Sequence, residues 1–143
     1  MIGIVVAAHG PLPEALLDST RLIYGEPVQT STVALLPGDS LEGLIERLRA
    51  AVQEVNTGEG VLILLDMFGG TPANAAALIS QQQEQVWAVT GANLPMLLET
   101  FMQREGSESA AALAETAFAA GQQGIINVVE AFRKFRDAQG TSN

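Results

Sequence analysis

Two short, uninterrupted apolar runs, Ile2–Ala7 (IGIVVA) and Val61–Leu65 (VLILL), constrain this chain more than any other feature. A strand with one wet face alternates apolar and polar residues. A continuous run of Val, Ile and Leu therefore has to be covered on both faces, as the strands of a parallel sheet are. Gln29–Leu36 (QTSTVALL) and Gln85–Thr90 (QVWAVT) predict two more strands, each closed by turn or cap residues, Pro37-Gly38 and Gly91-Ala92-Asn93.

Between the strands the apolar spacing changes to three and four residues. Behind Ser40, a good N-cap, Leu41, Leu44, Ile45, Leu48, Val52 and Val55 form one stripe, which predicts a helix. Pro13–Tyr24, Pro72–Gln82 and Pro95–Arg104 repeat the pattern. An alanine-rich helix over about Ser109–Gly121 precedes a last apolar run, Ile125–Val129, expected to be a fifth strand. No repeat, low-complexity linker or boundary divides the chain, so residues 1–143 are expected to form one domain. Strands alternating with helices give an α/β, doubly wound sheet. Its ligands bind beyond the carboxyl ends of the strands where the strand order reverses. In the order 2-1-3-4, that reversal lies between strands 1 and 3.

Composition removes several chemistries. With 7 Lys and Arg against 16 Asp and Glu the net charge is −9, a poor match to nucleic acid or an anionic membrane and a better one to a basic protein. The absence of cysteine excludes disulfides and thiolate chemistry, and a single histidine excludes any site built on two imidazoles; no metal or cofactor is expected. The N-terminal run has no Lys or Arg before it and breaks at His9-Gly10, unlike a signal peptide, so a soluble cytoplasmic protein is expected.

At the predicted reversal stand His9-Gly10-Pro11 after strand 1 and Asp66-Met67-Phe68-Gly69-Gly70-Thr71-Pro72 after strand 3. A carboxylate beside an imidazole can accept its Nδ1–H, leaving Nε2 as the nucleophile and stabilising the positive charge that follows attack. Gly69-Gly70 would let the backbone approach a ligand, Thr71 could cap the next helix and Pro72 suits its first position. Such a helix start attracts phosphate without Lys or Arg, and both loops lack basic residues. Each piece also has an ordinary explanation: a polar loop histidine, a strand-end aspartate, a plain helix entry. Their coincidence at one switch point favours phosphoryl capture. There is no GxxxxGK[ST] loop, no GxGxxG and no nucleophile elbow.

The stretches IGIVVAAHGPLPEALLDS, VLILLDMFGGTPANAA and VTGANLPMLLE resemble the IIA component of the mannose-family sugar phosphotransferase system (PTS) over nearly the whole chain. That resemblance implies a flavodoxin-like fold and one EIIA domain of type 4 over residues 1–143. It also implies a transferase that takes a phosphoryl group from HPr onto His9 and passes it to a IIB component, and indirectly to membrane IIC and IID components. By position, His9 would be the acceptor, Asp66 its hydrogen-bonding partner, and Thr71, with Gly69 and Gly70, would sit near the phosphate. It further implies a homodimer in which a C-terminal antiparallel edge strand, here Ile125–Val129, is exchanged between subunits. The sequence carries no IIB part, so the acceptor is expected on another chain. Other readings stay open: a phosphoryl-donor subunit for dihydroxyacetone kinase, a regulatory phospho-acceptor without transport, or a small-molecule binding module. The basic tail Arg133-Lys134-Phe135-Arg136 has no assigned role.

Overall fold

The computed structural model describes residues 1–140. In chain order its elements are β1 (Gly3–His9), α1 (Leu12–Ile23), β2 (Thr30–Leu35), α2 (Leu41–Val55), β3 (Val61–Leu65), α3 (Thr71–Gln82), β4 (Val86–Val89), α4 (Leu94–Gln103), α5 (Ala110–Gln123) and α6 (Val128–Gly140). Among the described residues the sheet has the order β2-β1-β3-β4, with every pair parallel. The doubly wound 2-1-3-4 order expected from the sequence is thus present. β1 sits in the middle, with Ala7 opposite Leu65 and His9 opposite Leu35. That register brings the carboxyl ends of β1 and β3 side by side.

The apolar runs are uninterrupted because each central strand serves two cores. In β1 and β3, Val5, Ala7, Ile63 and Leu65 pack with Leu48, Val52 and Ile79 of α2 and α3. Ile4, Val6, Leu62 and Leu64 pack on the other face with Leu17, Leu97, Phe101 and Leu113 of α1, α4 and α5. Every residue of β3 is fully buried, so truncating any of its large side chains leaves a cavity and costs about 2–5 kcal/mol. Ser40 caps α2 as its sequence predicts, its Oγ accepting Gly43 N–H at 3.0 Å. β4 is different. It forms one edge of the sheet, and Trp87 and Ala88 are exposed on it.

The amino ends of the strands are tied together around Gln29, which adopts the left-handed conformation (φ +50°). Its Nε2 donates to Met1 O at 2.8 Å, Val55 O at 2.7 Å and Thr57 Oγ1 at 3.3 Å, and its own carbonyl accepts Ile4 N–H at 3.3 Å. Arg104, only 2% exposed, lies 5.2 Å over the Phe101 ring and reaches the same Gln29 carbonyl at 3.5 Å. Burial lowers its pKa.

The expected C-terminal edge strand is not formed. Ile125–Asn127 join no ladder, and α6 begins at Val128. The apolar run continues past its apparent end: Val128, Phe132 and Phe135 fall at helical spacing, and Asn127 starts the helix by accepting Glu130 N–H on Oδ1 at 3.1 Å. A strand over Ile125–Val129 would cut that period short. No residue of α6 is buried, and its valines and phenylalanines stand exposed.

Candidate functional site

At the carboxyl end of β1, His9 is the first residue of that strand to leave the core, its side chain 45% exposed. Asp66 follows β3 directly and is mostly covered, at 13%. The β1–β3 register places them in contact across 57 residues of sequence. His9 Nδ1 and Asp66 Oδ2 are 2.8 Å apart, and the same oxygen accepts the His9 backbone N–H at 3.1 Å. Oδ1 accepts Met67 N–H at 2.9 Å. All three contacts hold one carboxylate orientation. Burial by itself would raise the Asp66 pKa; the His9 backbone N–H, the His9 ring and the Met67 N–H outweigh it and bring the carboxyl below its ordinary value. An ionised Asp66 is a pure acceptor, so the proton of the shared bond belongs to Nδ1. Nε2 has no hydrogen-bond partner among the described residues.

The loop from Asp66 to α3 approaches the other side of the ring. Gly69 turns it with φ +84°, a conformation that costs a side-chain-bearing residue about 1–2 kcal/mol. Gly70 follows in the extended region as the N-cap of α3, and a Cβ there would come within 3.3 Å of His9 Cε1, the ring atom between the two nitrogens. The helix frame is one residue earlier than the sequence suggested. Gly70, not Thr71, is the cap; Thr71 is the first helical residue, Pro72 the second, and no side chain caps α3. Its first N–H groups are thus left beside the imidazole with no side-chain oxygen to bind them. His9, Asp66, Gly69, Gly70 and Thr71 all fall in one place at the β1/β3 switch point.

Around this pair the surface is apolar. Phe68 is 86% exposed, and Met67, Pro11, Leu12, Leu36 and Leu41 are exposed at the same end of the sheet. Leu36 and Leu41 fall in strand and helix patterns that would ordinarily bury them, and Leu12 lies just before the predicted helix Pro13–Tyr24. A groove of about 350 Å³ runs from Phe68 along β4, lined by Ala73, Ala77, Val86 and Trp87. Neither His9 nor Asp66 lines it. Among the described residues no cluster of three or more histidine or acidic side chains is arranged to hold a metal ion. No described helix is long and apolar enough to cross a membrane.

A doubly wound parallel sheet with one imidazole oriented by a carboxylate at its switch point, beside a helix start with no side-chain cap, defines a class of α/β proteins whose site lies open beyond the carboxyl ends of the central strands. The comparison with known families narrows this. The EIIA-man family, described as the PTS system fructose IIA component, matches residues 3–118, and the chain belongs to that family. It is 36% identical over 124 residues to the mannose-specific EIIAB component of Escherichia coli K12, which covers 87% of this chain but 38% of that longer protein. With the fructose-specific EIIA component of Bacillus subtilis it shares 36% identity over 105 residues, 73% of this chain and 72% of the relative. Among solved structures, EIIA from Streptococcus agalactiae superposes with a TM-score of 0.84 at 27% identity, covering 91% of this chain and 99% of that one. The mannose/sorbose-specific IIA subunit from Enterococcus faecalis gives 0.80 at 29%, covering 88% and 93%.

Proposed function

We propose that this chain is a cytoplasmic phosphoryl carrier of a phosphoenolpyruvate-dependent sugar PTS, a single EIIA unit that accepts a phosphoryl group from phospho-HPr on His9 and passes it to a IIB component. The observation that carries this reading is the 2.8 Å contact between His9 Nδ1 and Asp66, with Nε2 left open beside the start of α3. In the transfer the Nε2 lone pair attacks phosphorus, the bond from phosphorus to the donor breaks, and its electron pair stays with the donor. The Nδ1–H remains on His9, where Asp66 stabilises the imidazolium. Thr71 N–H and the following turn of α3 face the arriving anion. Return of the group to an acceptor is the same step in reverse. Phe68, Met67 and Pro11 supply the contact surface for both partners.

The test is incubation with phosphoenolpyruvate, enzyme I and HPr. The label is expected on His9, stable to base, lost in mild acid and absent from His9→Ala; stable labelling of that variant from the same donor would overturn the assignment. A homodimer is part of the same reading. Its support is the band of exposed apolar residues from Ile125 to Phe135, too large to be comfortable in water. Light scattering is expected to give twice the mass of one chain, and a clean monomer at micromolar concentration would remove the dimer.

A further inference from the structure

The loop after β4, Thr90-Gly91-Ala92-Asn93, contributes no atom to the His9–Asp66 pair, yet it grips the main chain that carries Asp66. Gly91 N–H donates to Asp66 O at 3.2 Å and Ala92 N–H to Leu65 O at 2.8 Å. The loop is itself held by one side chain acting in two directions. Asn93 Oδ1 accepts Met96 N–H at 3.0 Å and caps α4. Its Nδ2 donates to Gly121 O at 3.1 Å, in the last turn of α5, 28 residues further on. That carbonyl is one of the four that a helix leaves without an internal partner at its C-terminus. A single amide therefore closes the start of one helix and the end of another. Glycines bring the two ends together: a Cβ on Gly124 would lie 2.6 Å from the ring carbons of Pro95, and one on Gly121 2.6 Å from Met96 Cε.

We infer that Asn93 is a positioning residue for the site, its amide fixing the 90–93 loop between α4 and α5 so that the loop sets the Asp66 peptide and the carboxylate meets His9 Nδ1. The Asp66–His9 contact has little tolerance. Hydrogen bonds of this kind span about 2.7–3.2 Å, so a drift of half an ångström in the Asp66 backbone would carry the 2.8 Å contact out of that range and loosen the tautomer that leaves Nε2 free. The alternative is that Asn93 only caps α4. Asn93→Asp separates the two: it keeps an acceptor for Met96 N–H and suits a helix start, but it loses the donor and sets a carboxylate against the Gly121 carbonyl.

This inference rests on the reading that His9 carries the phosphoryl group, so the test has one arm that depends on that reading and one that does not. His9 is the only histidine, and its ring signals in an NMR spectrum of the unphosphorylated protein are unambiguous. In Asn93→Asp the His9 Nδ1–H signal is expected to shift and exchange faster with water. Phosphoryl transfer from HPr is expected to slow about tenfold at an unchanged KM for the donor, the scale of effect that a small misplacement of a reacting group produces. Parental ring signals and parental rate would overturn the inference. So would slowed transfer with unmoved ring signals, or moved signals with transfer at the parental rate. Should Asn93→Asp fail to fold, Asn93→Ser, which keeps a cap acceptor and lacks the amide donor, is read in the same way. If the parent itself takes no label, the His9 reading fails, and the NMR arm still decides whether Asn93 positions the pair.

Discussion

The two ends of the sheet use polar groups in opposite ways. At the amino end, the Gln29 amide spends its hydrogen atoms on the carbonyls of Met1 and Val55 and on Thr57, and Arg104 is shut in against Phe101. At the carboxyl end, Asp66 is just as heavily bonded, but the half-exposed imidazole it holds keeps one nitrogen without a hydrogen-bond partner among the described residues, and the α3 start beside it has no side-chain cap. A closed network joins elements. A network closed on one side and open on the other presents a group to something that has yet to arrive. Density of hydrogen bonds does not tell the two apart, and neither does an unpaired atom alone, since Arg104 Nε is unpaired but buried; the His9 ring is both unpaired at Nε2 and exposed.

If the comparison holds, substitutions at the carboxyl end change transfer with little effect on stability, and those at the amino end do the reverse. The largest effect is expected from Asp66→Asn, which slows phosphoryl transfer about a hundredfold, within the range for loss of a residue orienting a catalytic histidine, while its thermal midpoint drops only slightly, by the part of stability that the ionised carboxylate supplies. Rapid-quench measurement of transfer in both directions checks it, and a rate equal to the parent's would reduce Asp66 to a strand-end cap. Gln29→Ala is expected to lose about 2–3 kcal/mol in urea unfolding, because it strands the carbonyls its amide serves, while folded protein transfers at the normal rate. A transfer defect in folded Gln29→Ala would break the division between the ends.

Smaller effects sharpen it. Gly70→Ala forces the His9 ring or α3 to give by a few tenths of an ångström, and a several-fold loss of transfer is expected with stability nearly unchanged. Acid provides another measure. The Asp66 pKa is lowered in the folded state, so its contribution to stability is full above the unfolded carboxylate value, near pH 4, and is lost as pH falls through the depressed folded value. Stability of Asp66→Asn should therefore fall less steeply than the parent's in that acid window, and parallel curves would contradict the shift. Least in size is the effect of salt. The net charge of −9 repels an incoming phosphoryl group, so a basic face on the donor has to steer it, and the second-order rate should fall modestly as salt rises. A flat rate would leave apolar contact at Phe68 as the main determinant.

Sequence made the sheet and the His9–Asp66 pair legible because both rest on strong local signals. Runs covered on two faces can only be central strands, and their order dictates which loops meet. Ser40 announced α2 in the same local way. What stayed hidden depended on contacts far apart in the chain, or on a period cut short. Asn93 is legible as a turn or cap residue, and it does cap α4, but its second partner, Gly121, lies in another helix and leaves no local sign. Arg104 closes the predicted helix Pro95–Arg104, and nothing in the local spacing marks it as buried over Phe101 and against the Gln29 carbonyl. Ile125–Val129 taken alone has the composition of a strand, and only Phe132 and Phe135 beyond it give the run a helical period. Thr71 has the better capping hydroxyl, yet the loop places Gly70 at the cap and Thr71 inside the helix.

The β1–β3 register has a consequence for how the protein is made. β1 leaves the ribosome first and can pair with β2 early, yet the carboxylate that orients its histidine is 57 residues away and belongs to β3. Parallel pairing of that span has to close a long loop before it returns any contact, which makes it a late and slow event in folding. A nascent chain shorter than β3 therefore carries His9 with its ring free to take either tautomer. Only when the third strand inserts beside the first does the imidazole become oriented, so the proposed competence to receive a phosphoryl group arrives together with the native sheet.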